Sequence, residues 1–271
     1  MSVSIKRFFS ALLFSLFSYS AYSQTQPTNF ATKFEYDLKL SVDANKRAAY
    51  LKKNNEQPSA YEKVFTVLTG AVQVANIVDD VKFTQNSYQI TSIGNLIAGL
   101  STALGGQRLV RESIGTINAN GLLSSVYQEK RGNTDLLISR YEPPKKSITF
   151  FKASFRNPIN STALEGQLID LVNVGYQFIG RPLPTKPITY QVSDARSVKR
   201  YTLIPAEVWE FPIDGKKIKA TRFYKTTSKD DTNTFEIWFS EGKNFPIRSV
   251  IGLSEQYGAT IQVDLKKLPN L

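Results

Sequence analysis

The stretch that decides the fold is Phe235 to Leu265, FEIWFSEGKNFPIRSVIGLSEQYGATIQVDL. Phe235, Ile237 and Phe239 alternate with Glu236, Trp238 and Ser240, the period-two pattern of a strand with one buried face. Glu241-Gly242-Lys243-Asn244 is a cluster of turn formers, and Pro246 suits the first residues of a strand. Ile247, Ser249 and Ile251 carry a return strand. After a second turn at Gln256-Tyr257-Gly258, Ile261, Val263 and Leu265 alternate again. The stretch therefore predicts three antiparallel strands in a meander, and Trp238, in mid-strand, is expected to be a packed structural aromatic.

The same pattern recurs upstream. Phe34, Tyr36, Leu38 and Leu40 alternate with charged neighbours, and a short helix is expected around Lys46 to Lys53. Val64 to Val78 reads as a strand turned by Asp79-Asp80, with Val81 to Ile93 returning. Asn120-Gly121 is the strongest hairpin signal, and Pro143-Pro144-Lys145-Lys146 turns another hairpin. Two segments read as helices. Ile93, Leu96, Ile97, Leu100 and Leu104 fall at helical spacing and end at Gly105-Gly106. Thr162-Ala163-Leu164-Glu165 has the form of a capping box, with Leu164, Leu168, Leu171 and Val172 on one face behind it. Strands resume from Ile188, with turns at Asp194 and Asp214-Gly215. The expectation is an all-β protein with minor α. Its large antiparallel sheet of about twelve strands is curved into an open or incomplete barrel, because a sheet of that size must curl, split or close. One or two helices cover it.

The N-terminus has the anatomy of a cleavable signal peptide: Lys6-Arg7, an apolar run from Phe8 to Tyr19, and Ala21-Tyr22-Ser23 before Gln24. Residues 1–23 are read as that signal and 24–271 as one β domain in the periplasm. No other stretch is long and apolar enough to span a bilayer. The 271 residues include no cysteine and no histidine, which removes disulfides, Ser-His-Asp and Cys-His catalysis and a thiolate or imidazole zinc site. No nucleotide-binding loop or nucleophile elbow is present. The expectation is no cofactor, no metal and no catalytic residue. Asp79-Asp80 and Asp230-Asp231 are read as turns rather than calcium loops. Among carboxylates, Asp170 and Glu207 are the pair a glycan-acting enzyme would use. The plainer reading has Asp170 satisfying backbone groups around its helix and Glu207 paired with a cross-strand base.

The net charge of +11 favours anionic partners or a solvated basic surface. Basic doublets such as Lys145-Lys146 and Lys216-Lys217 protect strand ends from edge pairing. Export makes nucleic acid an unsuitable partner.

In their order along the chain, several short motifs resemble the DUF3108 family of exported bacterial proteins of unknown function. They are Glu112-Ser113-Ile114-Gly115 with Asn120-Gly121-Leu122; Leu168-Ile169-Asp170-Leu171 with Tyr176-Gln177-Phe178; Glu207 with Pro212-Ile213-Asp214-Gly215; and Ile237-Trp238-Phe239-Ser240 with Pro246-Ile247-Arg248 and Gly258. The resemblance implies a periplasmic protein on a large curved antiparallel sheet, with no catalytic residues to carry over. The leading functional expectation is non-catalytic binding of a lipid, a lipid-linked glycan or another amphipathic envelope molecule. Ile93, Leu96, Ile97, Leu100 and Leu104 are the expected ligand-facing lid, and contact with the membrane is peripheral. A structural or protein-interaction module of the envelope, with a filled core and no ligand, is the alternative. A carboxylate-only enzyme is the remote one.

Overall fold

The computed structural model describes residues 29–57, 70–97, 108–155, 157–227, 231–253 and 258–271. The segment 1–23, Leu100, Leu104, Gly105-Gly106, residues 64–69, Asp230 and Gln256-Tyr257 lie outside the described residues.

Among the described residues, fifteen strands form one sheet. The first eight are β1 (Phe30–Val42), β2 (Val72–Phe83), β3 (Ser87–Leu96), β4 (Arg108–Asn118), β5 (Gly121–Arg131), β6 (Leu137–Glu142), β7 (Ser147–Lys152) and β8 (Asn160–Ala163). They step outward from the middle of the sheet to one edge. The chain then crosses to the opposite edge, β9 (Leu168–Asp170), and returns through β10 (Ile188–Ser193), β11 (Val198–Ile213), β12 (Lys216–Lys225), β13 (Thr234–Ser240), β14 (Pro246–Gly252) and β15 (Ala259–Leu265). β15 pairs with β1, which joins the two halves. Every pairing is antiparallel except β9 with β10. The meander Phe235–Leu265 forms as its alternation predicts, with Ile237 opposite Ser249 and Ser249 opposite Val263.

The sheet curls without closing into a barrel: no ladder joins β8 to β9. Bulges in four ladders, at Leu38/Lys39, Ile114/Gly115, Pro205/Val208 and Trp238/Phe239, add local bend and twist. The bulge opposite Gly115 has a further effect. Val126 pairs with Ile114 and Ser124 with Gly115, so Ser125 is the extra residue. Leu122 and Ser124 before it, and Tyr127 and Glu129 after it, are all buried. Gly115 is required there, since a Cβ would stand 2.0 Å from the Leu123 carbonyl oxygen and 2.7 Å from the Tyr88 ring.

Turn chemistry closes the hairpins. Asp214 and Gly215, at φ of 50° and 69°, form the two-residue turn whose positive dihedrals match strand twist. At the Asn120-Gly121 signal the two loop residues are Ala119 and Asn120, and Gly121 is the first residue of β5. The helix α1 (Ala44–Asn54) contains the expected Lys46–Lys53 and is capped by Asp43.

Several expectations are corrected. The described residues alone form fifteen strands rather than about twelve. Asp79-Asp80 does not turn the chain; β2 runs through both to Phe83, with the reversal at Thr84 to Ser87. The helix from Ile93 is not formed where it is described. Ile93 and Leu96 belong to β3, Ile93 faces Val78 on one side and Val110 on the other, and the Ile97 N–H donates to the Val74 carbonyl at 3.0 Å. Ladder partners on both sides hold this short apolar run extended, where spacing alone reads equally as helix. The Thr162 capping box opens no α-helix either. Thr162 lies in edge strand β8, and the segment after it forms β9 and a single 3-10 turn, Asn173–Tyr176.

That segment is the interior of the molecule. From Leu168 to Ile179 every residue except Leu171 is buried, and β9 packs against β5 across the curl. The link between the half-sheets thus serves as a plug on the concave side. Tyr176 and Ile179 pack with Phe34, Phe83 and Tyr88, while Val174 and Phe178 pack with Tyr190, Phe223 and Phe239.

Trp238 is 2% exposed, with Arg222 and Arg248 directly opposite on the flanking strands and the Trp209 ring 5.3 Å away. Truncating a well-buried aromatic removes both transfer energy and packing, so Trp238→Ala is expected to cost about 3–5 kcal/mol. Urea denaturation of the two proteins checks this; an unchanged midpoint would show that the tryptophan is not part of the packing.

Candidate functional site

The plug is held by a buried carboxylate. Asp170, at the end of β9, has no exposed surface. Its Oδ1 accepts the Val172 and Asn173 backbone N–H groups, both at 2.9 Å. Its Oδ2 accepts the hydroxyls of Ser113 on β4, at 2.5 Å, and Ser124 on β5, at 2.7 Å. Asn173 donates from Nδ2 to the Tyr88 hydroxyl and accepts the Asp170 N–H. Further along, Gln177 accepts the Leu122 N–H at 3.0 Å and donates to the Leu122 carbonyl at 3.1 Å. The amide completes a strand-like pair with the β4–β5 hairpin. Gly121 leaves room for it, since a Cβ there would meet the Gln177 Oε1 at 2.5 Å. Burial raises the Asp170 pKa, and the Ser113, Ser124 and backbone donors pull it back down.

A cavity of about 410 Å³ remains on the concave side beside the plug. Its apolar wall includes Ile77, Val174, Ile237, Ile251 and Val263, and its polar residues include Asp79, Ser92, Arg111 and Arg131. The polar residues stand together because of register. Asp79 on β2 is opposite Ser92 on β3, Ser92 is opposite Arg111 on β4, and Arg111 is opposite Glu129 on β5. Directly opposed residues share a face, so these four form one row across four strands.

The two ends of the row differ. At one end Asp79 accepts the Tyr176 hydroxyl at 2.6 Å, and that hydroxyl also meets Tyr36 at 3.2 Å. Burial raises the Asp79 pKa against the opposing influence of Ser92, Tyr176 and Arg111. At the other end Glu129, 1% exposed, receives Arg111 Nε at 3.2 Å, Arg131 Nε at 2.9 Å, Arg196 Nη1 at 3.0 Å and the Tyr127 hydroxyl at 3.2 Å. Burial alone would raise its pKa, but Arg111 and Arg131 outweigh that and hold it below the usual carboxylate range. Arg196 comes from the β10–β11 turn, so this ion cluster ties the two half-sheets together beside the cavity. Ser193 Oγ, donating to Ser139 Oγ at 3.1 Å, is a second tie between them.

A second hollow, of about 700 Å³, lies between α1 and the β14–β15 connection, lined by Lys46, Tyr50, Lys53, Thr232 and Gly258. It shares Thr234 and Leu253 with the first cavity. Ile93, Leu96 and Ile97 line neither space, and Leu100 and Leu104 lie outside the described residues. Asp170 and Glu207 share no partner. Asp170 is sealed, whereas Glu207 is exposed and pairs with Arg222 Nη1 at 2.9 Å and the Trp209 indole N–H. Arg222 is the cross-strand base expected for it. Among the described residues no three metal-ligating side chains cluster, and no helix is long and apolar enough to cross a membrane.

Arg111, Glu129, Arg131 and Tyr176 were not among the candidates read from sequence, and Asp79 was weighed only as a calcium ligand and read as a turn. A charged residue at an inward position is a signal that could have found Glu129. The Ser125 bulge hid it by shifting the alternation.

These features define a class: a plugged, curled single-sheet protein with an amphipathic cavity on its concave side. No family model matches the chain, and no curated protein matches it.

Two tests follow. Asp170→Ala leaves two hydroxyls and two backbone donors without their acceptor, and is expected to destabilise by roughly 3–5 kcal/mol, whereas Asp170→Asn, which keeps one oxygen, should cost less. Denaturant midpoints of the three proteins check the order. Asp79 gives a pH signature. With the folded pKa the higher, its favourable contribution is complete below the unfolded value of about 3.9 and is lost as pH rises through the folded pKa. Asp79→Asn should therefore abolish part of the stability lost on raising pH across that window; parallel stability–pH curves for the two proteins would contradict it.

Proposed function

We propose that this protein is a non-catalytic binder of a lipid or other amphipathic molecule of the cell envelope, taken up in the concave-face cavity. The observation that carries the reading is the cavity itself. A volume of about 410 Å³ falls in the roughly 300–1,000 Å³ range of small-molecule sites, which are mostly apolar with a few placed polar groups. Ile77, Val174, Ile237, Ile251 and Val263 supply an apolar wall, and Arg111 and Arg131 supply the polar groups. The envelope setting rests on the signal-peptide pattern of residues 1–23 and on the resemblance to DUF3108. The non-catalytic reading is supported by Asp170, whose carboxylate is engaged by four donors and is sealed from solvent.

The plug favours a second reading, a structural or protein-interaction module of the envelope. The buried run of residues 168–170 and 172–179 fills much of the interior, as a ligand-free core would. Native mass spectrometry of protein purified from its own cells separates the two. A co-purifying mass in the lipid range supports the binder. In vitro, a neutral naphthylamine probe should brighten on binding, and Ile251→Trp, which narrows the cavity, should weaken that binding at least about fivefold with little change in melting temperature. No adduct and no probe binding would favour the module.

A further inference from the structure

Building on the binder reading, we infer that the cavity recognises an anionic head group, with the Arg111 and Arg131 guanidiniums as its seat and Glu129 as the residue that positions them.

A guanidinium has five N–H donors in a fixed fork. Arg111 and Arg131 each use Nε for Glu129, and among the described residues neither makes another hydrogen bond from its terminal nitrogens. Both line the cavity. Those terminal nitrogens are not sealed away from solvent without a partner, unlike Arg181 Nη1. Glu129 is 1% exposed and its pKa is held low, so it stays ionised and fixes both forks from behind. Three guanidiniums, Arg196 included, surround this one carboxylate. The cluster therefore keeps an excess positive charge of two.

The excess has a direction. Arg111 and Arg131 have side-chain exposures of 26% and 52%, against 1% for the carboxylate that holds them. The open side of the cluster is thus cationic, and it borders apolar wall rather than bulk water alone. A carboxylate or phosphate on an acyl chain satisfies both surfaces: its oxygens accept the free fork donors, and its chain lies along Ile77, Ile237 and Ile251. Charge-assisted bonds of this kind are about twice as strong as neutral ones.

The test is competition against the neutral naphthylamine probe by lauric acid, lauryl phosphate and lauryl alcohol, with inorganic phosphate measured separately by calorimetry. Both acids are expected to bind at least about tenfold more tightly than the alcohol. In Arg111→Met/Arg131→Met that preference should fall to near unity, with alcohol binding retained. The double variant leaves Glu129 with Arg196 alone, so Arg131→Gln, whose amide can still donate to Glu129, is the gentler variant; it should lose part of the preference with a smaller fall in melting temperature than the double variant. If the alcohol binds as tightly as the acids, or the preference survives in folded variants, the head-group inference is overturned and the apolar binder stands. If inorganic phosphate binds as tightly as lauryl phosphate and is lost in the same variants, the site is a free-anion site and the amphiphile assignment is overturned. If no amphiphile displaces the probe, the inference fails; if in addition the probe itself does not bind, the binder reading fails with it.

Discussion

A single buried carboxylate holds the interior of this protein to its wall. Asp170 accepts two serine hydroxyls from neighbouring strands of the sheet and two N–H groups from its own chain. A carboxylate in a sealed site is costly unless each acceptor position is used, and here each oxygen takes two donors. The bonds from Ser113 and Ser124 cross between chain segments distant in sequence. They fix where the link between the half-sheets sits, and Gln177 fixes its far end against Leu122. The curl of the sheet then has a defined interior to wrap around.

Curvature follows from local features acting together. Bulges bend the strands, and Gly115 admits the one opposite Ser125 because no Cβ fits against the Leu123 carbonyl. The open side of the curl is fastened by polar ties rather than by a ladder: Arg196 on Glu129, and Ser193 on Ser139. A closed barrel would have used backbone pairing there. The ties leave β8 and β9 as edges, and both are short, four and three residues, which limits their use as templates for other strands.

The cavity and the plug compete for the same concave space. Aromatic packing around Phe34, Tyr176 and Phe245 fills one part of it, and Phe178 with Phe223 and Phe239 fills another. Between them the polar row from Asp79 to Glu129 breaks the apolar packing. Charged groups need either water or each other there, and the ion cluster around Glu129 supplies the second. The cavity therefore borders a place where the sheet carries charge on its inner face.

The period-two alternation of Phe235–Leu265 and of Phe34–Leu40 determined those strands but not a single inward face, since Ile237, Trp238, Phe239 and Ser240 are all buried; Asp214-Gly215 determined its turn. The burial of Trp238 and the pairing of Glu207 with a cross-strand base were also legible; Asp170 does satisfy backbone groups, but at the end of β9 and not around the expected helix. These are properties of neighbours along one strand, across one hairpin or within a few residues. Where the reading failed, the information was not local. Ile93 to Ile97 stays extended because β2 and β4 offer partners on both sides, and the segment after Thr162 is buried all round, which erases the difference between helical and extended periodicity. Only the tertiary structure placed Asp79, Ser92, Arg111 and Glu129 in one row. Their separations in sequence carry no period; the register of three successive strand pairings sets them side by side.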